Sequence, residues 1–349
     1  LLLFFCALAT GCAKEPPLHQ QESFVFGTRV EVLVYGVEAA QARAAAAAVL
    51  REFDRLHRML HAWQPSELTA LNEAIARGEK GIPVSAELAA MLTDAAAIAD
   101  KSDQLFNPAI GRLVALWGFH SDEFKPLLPD PAAIEAVAKA RPRMSDLLVE
   151  GNRVTSRNRA VQLDLGGYAK GYALDRAAAI LRAQGVGNAL INIGGNIMAL
   201  GAKGGTPWRV GIQHPRSPAP LATLELKDGE AIGTSGDYQR YFELEGRRYC
   251  HLLDPRSGRP AEGAQAATVL ITPRPGAPQG YFLRGAGALS DAASKPAFIA
   301  GRDEWRGMAR RLGVEHALRI DDQGVMHVTA ALRERLKIEA ADMKIEIEP

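Results

Sequence analysis

Apolar and polar positions along the chain recur with the periods that folded elements need. In "SFVFGTRVEVLVYG" they alternate and put Val30, Val32 and Val34 on one face, which predicts a strand with a buried side. The alanine-rich run "EAAQARAAAAAVLREFDRLHRMLHAW" has helical spacing. In "QPSELTALNEA" a proline followed by Ser66, a capping residue, predicts a second and shorter helix. Residues 86–102 predict another helix. "FNPAIGRLVALWGFH" starts as a turn and continues apolar, and the prolines of "SDEFKPLLPDP" predict a loop.

Past residue 150 the strand period dominates. "RVTS", "AVQLDL", "NALINIGGNIMAL", "WRVGIQH", "ATLEL", "YFELEGRRYCHLL", "AATVLIT" and "ALRIDDQGVMHVT" read as strands, with turns at "KDGE", "EG" and "DDQG". Helices are expected near residues 168–184 and 297–312. Many hairpin signals and few strand-helix-strand repeats predict an α/β (α+β) fold with a mixed, largely antiparallel sheet and flanking helices, not a doubly wound parallel sheet. No internal repeat or low-complexity linker interrupts residues 23–349, which read as one continuous unit.

The first twelve residues, "LLLFFCALATGC", are apolar, and "AKEPPLHQQES" then turns polar. The apolar run is shorter than the roughly 20 residues of a spanning helix. Without a Met or a basic start it reads as the later part of an export signal. Ala9, Thr10 and Gly11 before Cys12 resemble a lipoprotein box, so residues 1–22 are expected to be signal and tether, with Cys12 lipidated. Cys6 would leave with the signal, and Cys250 would remain without a disulfide partner. The 41 Lys and Arg against 40 Asp and Glu leave a formal +1. No global field therefore points to nucleic acid, and an anionic ligand needs a local site. The 47% hydrophobic content supports a sizeable core.

Neither a P-loop, a G-x-G-x-x-G fingerprint nor a G-x-S-x-G elbow is present. His57 and His61 stand four apart, but Arg58 occupies the place of a zinc protease's Glu, so they read as a solvated or half-buried helix face. Three glycine segments carry more. In "LDLGGYAKG", Gly166 and Gly167 lie between strand and helix, where backbone N–H groups and Lys170 would suit an anion. "NIGGNI" places Asn192, Gly194, Gly195 and Asn196 at a strand interruption that fits either a bulge or close approach by a ligand. "GTSGDYQRY" offers Thr234, Ser235, Gly236 and Asp237 as a polar turn. Each alone is also a plain structural turn.

His251, at a strand end, is a candidate general base, and Asp254 shapes the turn after it. Ser290 and Asp291 are expected ahead of a helix, with Asp291 able to serve a hard cation. Pro296 forbids an undisturbed helix through Ala292, so an irregular segment start is expected.

In order along the chain, "FGTRVEV", "FDRLHRMLHAWQPSELTALN", "FNPAIGRLVALWGF", "LDLGGYAKGYALD", "NALINIGGNIMALG", "IGTSGDYQRYFELEGRRYCHLLDPRSGRPA" and "LSDAASKPAFIAG" resemble the ApbE-type FAD:protein FMN transferases. The resemblance implies a two-lobed, T-fold-related catalytic domain in a periplasmic, often lipid-anchored enzyme that uses Mg²⁺. FAD would be its substrate, FMN would go to a Ser or Thr of an acceptor protein, typically a redox subunit, and AMP would be released. Hydrolysis of FAD to FMN and AMP, or flavin binding without turnover, are the alternatives. The likeness implies that the three glycine segments line the FAD site, that His251 is the base and that Asp291 and a carbonyl near Gly167 hold the metal. One position departs. Where the family carries a Thr metal ligand, four residues after the Asp, this chain has Lys295, and a protonated ammonium cannot coordinate Mg²⁺. Three outcomes are open: a surviving metal site with water in place of Thr, an ammonium acting as the cation, or binding without transfer.

Overall fold

A computed structural model describes residues 16–121, 123–273 and 285–348. Its centre is a nine-stranded sheet. In spatial order the strands are Leu18–Val25, Thr28–Tyr35, Ala189–Ile193, Asn196–Leu200, Ala231–Gly236, Ala264–Ile271, His316–Asp321, Met326–Thr329 and Ile345–Glu348. Neighbours pair antiparallel except the last two, which run parallel. The mixed, largely antiparallel sheet expected from the hairpin signals is therefore present.

Both faces of the middle of this sheet are covered, which explains why strands such as Ala264–Ile271 read as nearly continuous apolar runs. Successive residues point to opposite faces. Ala231 and Val269 join the cluster that contains the helices Ala39–Leu60, Ala169–Ala183 and Ala286–Ile299, whereas the adjacent Ile232 and Leu270 join a second cluster on the other face. That second cluster packs the sheet against a three-stranded one built from Trp208–Gln213, Pro220–Leu226 and Lys337–Ile338. A third cluster joins Leu113, Trp117 and Phe119 to Ile134, Val137, Phe242 and Leu253.

Several expected elements take a different form. Residues 18–22, expected in a tether, belong to the Leu18–Val25 strand, which pairs along its whole length with Thr28–Tyr35 through a Phe26–Gly27 turn with positive φ at both residues. "AVQLDL" alternates as a strand should, with Val161, Leu163 and Leu165 buried, yet it joins no sheet: Gln162 bridges Ile110, and the Gln162 and Asp164 N–H groups donate to the Ala109 and Pro108 carbonyls. The Asn72 side chain does the work of a neighbouring strand: it donates to the Leu163 carbonyl at 2.9 Å and accepts from the Leu163 N–H at 2.7 Å. "GTSG" is not a turn, because Thr234, Ser235 and Gly236 end the Ala231–Gly236 strand. A helix Pro131–Ala140, capped by Asp130, follows the proline loop.

The expected 297–312 helix is two helices, Ala286–Ile299 and Trp305–Arg311. The first begins earlier than expected because the Asp175 carboxylate accepts from the Gly287 and Ala288 N–H groups at 2.9 and 2.8 Å. Ser290 and Asp291 are thus inside the helix, and Pro296 is carried within it, leaving the Ala292 carbonyl without its usual helical donor. Glycines bring this helix close to its neighbours. A Cβ on Gly171 would lie 2.2 Å from the Gly287 carbonyl oxygen, and one on Gly233 would lie 2.4 Å from that of Ser290. The helix is held between the Ala169–Ala183 helix and the Ala231–Gly236 strand with no room for a methyl group on either side.

Candidate functional site

A cleft of about 1070 Å³ opens where these elements meet, a volume at the upper limit of small-molecule sites. One wall is the turn before the Ala169–Ala183 helix, which contributes Gly166, Gly167 and Lys170. The hairpin between Ala189–Ile193 and Asn196–Leu200 contributes Asn192, Gly194 and Gly195. The end of the Ala231–Gly236 strand adds Thr234, Ser235 and Gly236, and the last wall brings His251, Asp291 and Lys295. Twelve of the residues singled out from sequence therefore face one cavity.

Two do not. Asn196 starts the strand after the hairpin, is 1% exposed and lies off the cleft wall. Asp237 is drawn aside by Arg216, whose guanidinium grips both carboxylate oxygens at 2.7 and 2.6 Å. Such a fork fixes a carboxylate's direction as well as its charge. Asp254 shapes a turn, as expected, accepting from the Arg256 N–H at 2.9 Å.

Several N–H groups of the glycine segments are bonded within the protein. The Gly166 N–H donates to Asp164 Oδ1 at 2.8 Å, those of Tyr168 and Ala169 to the Leu165 carbonyl, and that of Gly171 to Asp291 Oδ2 at 2.9 Å. At the hairpin, where Gly194 and Gly195 both have positive φ, their N–H groups donate to the Arg29 carbonyl and to Asn192 Oδ1. Side-chain charge adds to what an anion would meet. Lys170, Arg240 and Lys295 line the cleft with the carboxylates Asp164 and Asp291, a formal excess of positive charge. Lys170 Nζ stands over the turn, donating to the Gly166 carbonyl at 3.1 Å.

Asp291 is fully buried. Burial alone would raise its pKa, but the ammonium groups of Lys295 and Lys170 and the Gly171 N–H hold it below the usual carboxylate range. Lys295, one helical turn on, pairs with Asp291 Oδ1 and donates to the Asp291 carbonyl at 2.8 Å. Burial draws its own pKa down, against the pull of Asp291. Its stem crosses Gly167, with Cε 3.2 Å from where a Cβ there would sit. Ser294, between them, donates to the Asp291 carbonyl at 2.7 Å and meets the Ser235 hydroxyl at 2.8 Å.

His251 Nδ1 lies 3.1 Å from the Arg240 carbonyl. A carbonyl only accepts, so Nδ1 carries the proton and Nε2 keeps the basic lone pair. Burial, then the charges of Arg240, Lys170 and Lys295, push the imidazole pKa down to about 3. The ring is neutral at physiological pH.

Sequence reasoning gave no role to Asp164 and His120, whose Oδ2 and Nε2 are 2.9 Å apart. They are 44 residues apart in sequence, and no local pattern links them. Nor did it foresee the aromatic wall. From Phe26 the rings of His57, His61, Trp63 and His120 follow one another at centroid distances of 5.7, 5.0, 4.6 and 5.1 Å. His57 and His61 are half-buried, and the face they occupy borders the cleft. Among the described residues no cluster of three His, Cys, Asp or Glu side chains is arranged to hold a metal ion.

The sequence profile of the ApbE family matches residues 26–318. The FAD:protein FMN transferase of Rhodobacter capsulatus is 41% identical over 314 residues, covering 90% of this chain and 57% of that protein. The enzyme of the same name from Klebsiella pneumoniae is 33% identical over 287 residues, covering 78% of this chain and 81% of the relative. The crystal structure of the ApbE protein of Thermotoga maritima superposes with a TM-score of 0.80 at 29% identity, covering 91% of this chain and 99% of that one.

Proposed function

The chain belongs to the ApbE family, and from that premise we propose that it transfers the FMN half of FAD to a hydroxyl of an acceptor protein and releases AMP. The names of its relatives support the reading. The observation that carries it is a neutral imidazole set beside three side-chain cations in one cleft. This is what attack by a hydroxyl on a diphosphate requires: a base for the proton and positive charge for the phosphate oxygens.

In this reading His251 Nε2 takes the proton of an acceptor Ser or Thr hydroxyl. The oxygen bonds to the phosphorus on the FMN side, and the bond from that phosphorus to the bridging oxygen breaks. AMP departs with the electron pair. The Arg240 carbonyl keeps Nδ1 as the donor and so keeps Nε2 pointing its lone pair at the work. Lys170 and Arg240 offset charge on the diphosphate. Phe26 and Trp63 on the cleft wall supply flat, apolar surface suited to the rings of a flavin nucleotide.

Mg²⁺ is the cation that the family resemblance implies, with Asp291 as carboxylate and Gly167 as carbonyl donor. The donor set of this chain does not fit it. Both Asp291 oxygens already accept a bond, Oδ2 from the Gly171 N–H and Oδ1 from Lys295, whose ammonium stands where the family has a hydroxyl and whose Cε lies 3.2 Å from the position of a Cβ on Gly167. Magnesium asks for near-octahedral oxygen ligands, and an ammonium offers no lone pair.

We further propose that the protein works in the periplasm, held to the inner membrane by lipid on Cys12, and that its acceptor is a redox subunit. Cys12 lies outside the described residues, and the support is the small-residue run before it. Among the described residues no helix is long and apolar enough to cross a membrane.

Incubation with FAD and a flavin-acceptor protein tests the reading. The expected result is free AMP by chromatography and an acceptor heavier by one FMN on a Ser or Thr. AMP with no adduct would make the protein an FAD hydrolase, and bound flavin with neither product would make it a flavin carrier.

A further inference from the structure

We infer that the Lys295 ammonium stands in for the divalent cation of the transfer reaction, so that this chain handles the diphosphate of FAD with side-chain cations alone. The inference deepens the reading of the cleft as an FAD site and rests on it.

Three arrangements carry it. First, the position is built for the lysine. Gly167 leaves the gap through which its stem passes, and an alanine there would press on Cε at 3.2 Å. Second, the Asp291 oxygens that a metal would want already accept hydrogen bonds. Asp291 Oδ1 and the Asp291 carbonyl both go to Lys295 Nζ, and Oδ2 goes to the Gly171 N–H. Ser294, the hydroxyl next to Lys295, is also engaged, with the Asp291 carbonyl at 2.7 Å and Ser235 at 2.8 Å. Third, the ammonium is not used up. It has three N–H donors, of which Asp291 takes two, and Lys295 lines the cleft with a side chain 14% exposed. The third N–H is available to a phosphate oxygen.

The pairing with Asp291 also fixes the cation. A free lysine is a mobile point charge on a flexible stem, whereas this one is anchored by two bonds to a residue in a helix packed closely against both neighbours. When the bond to the bridging oxygen breaks, the negative charge gathering on the phosphate oxygens meets a donor already in place. That is the preorganisation on which electrostatic catalysis depends. The ammonium keeps its proton and forms no covalent bond in the step.

Two measurements test this on the full chain. In the first, AMP release from FAD is followed with excess EDTA and with Mg²⁺. Native protein is expected to turn over in EDTA within about twofold of its rate in Mg²⁺. Lys295→Thr is expected to lose at least about tenfold in EDTA, the loss of one charge-assisted hydrogen bond, and to recover when Mg²⁺ is added. Native turnover that stops in EDTA and returns with Mg²⁺ overturns the inference and leaves the transfer reading intact. In the second, Mn²⁺ is titrated and free ion is read by electron paramagnetic resonance, with ADP as the diphosphate. Native protein is expected to take up no Mn²⁺ beyond what ADP alone binds, and Lys295→Thr to gain one site. One Mn²⁺ bound by native protein sinks the inference, even if no AMP is ever released and the transfer reading has failed. Because this readout is made on the native chain, it does not depend on the variant's folding.

Discussion

At the scale of single residues the site is governed by charge. His251 has a pKa near 3 because burial and the charges of Arg240, Lys170 and Lys295 disfavour its protonated form. A base acts in its neutral form, so activity is lost only as pH falls through the pKa of the free protein. The expectation is that kcat/KM for AMP release stays level from pH ~8 to pH ~5, where a solvated imidazole of pKa ~6.5 would already have lost most of its activity. A decline setting in at pH ~6.5 would contradict the environment described here. His251→Ala should reduce kcat by about 10² to 10⁴ while leaving FAD binding close to native, a kcat effect expected of a proton acceptor. At this scale the sequence was informative about which segments matter and less so about direction. Asp237 sits among cleft residues in sequence, but a guanidinium 21 positions away turns it aside, and nothing local announces that.

Among secondary-structure elements, glycine spacing does more for packing than for ligand binding. Gly171 and Gly287 face each other across two helices, and each would place a Cβ within 2.2 to 2.3 Å of the other's carbonyl oxygen. Gly287→Ala should therefore destabilise the fold by about 1–3 kcal/mol or more, the cost of overpacking, read as a lower urea midpoint. Gly307→Ala is the informative partner. Gly307 lies in the Trp305–Arg311 helix with nothing within 4 Å of its added Cβ. That change should stabilise by about 0.5–1 kcal/mol through helix propensity. If both variants moved the midpoint upward, the close helix contact would be wrong. The Glu245–Gly246 hairpin was legible because its turn carries its own chemistry, both residues having positive φ, whereas Gly194–Gly195, which reads as an interruption within one strand, is the turn of a hairpin between two. The Leu18–Val25 strand was not. It is an edge strand whose "LHQQES" is mostly exposed, so no buried face imposes an alternation. "AVQLDL" misled for the opposite reason: its alternation is real, but Leu163 pairs with the side chain of Asn72 and its neighbours Gln162 and Asp164 pair with segment 108–111.

Over the whole molecule, the cleft lies where all three apolar clusters end. Leu252 comes to it from the helical layer, Ile232 from the layer between sheets, and Phe119 and Leu253 from the third cluster. A ligand filling it touches every part of the core, so binding should couple to global unfolding. FAD at ~100 times its Kd is expected to add about 2.7 kcal/mol to stability, seen as a single melting transition displaced upward by a few degrees. An unfolding profile in which FAD raised only part of the signal would mean that the clusters unfold independently. The fold class was readable from hairpin frequency, whereas the meeting of three clusters at one cleft depends on long-range contacts that no window of sequence contains. The gap at Gly167 has a consequence for heredity. Threonine and lysine codons can differ by one base, and the lysine stem passes where Gly167 has no side chain. A lineage could thus exchange dependence on a dissolved ion for a cation encoded in its own gene by a point mutation, and freedom from metal scarcity would then be heritable at a single locus.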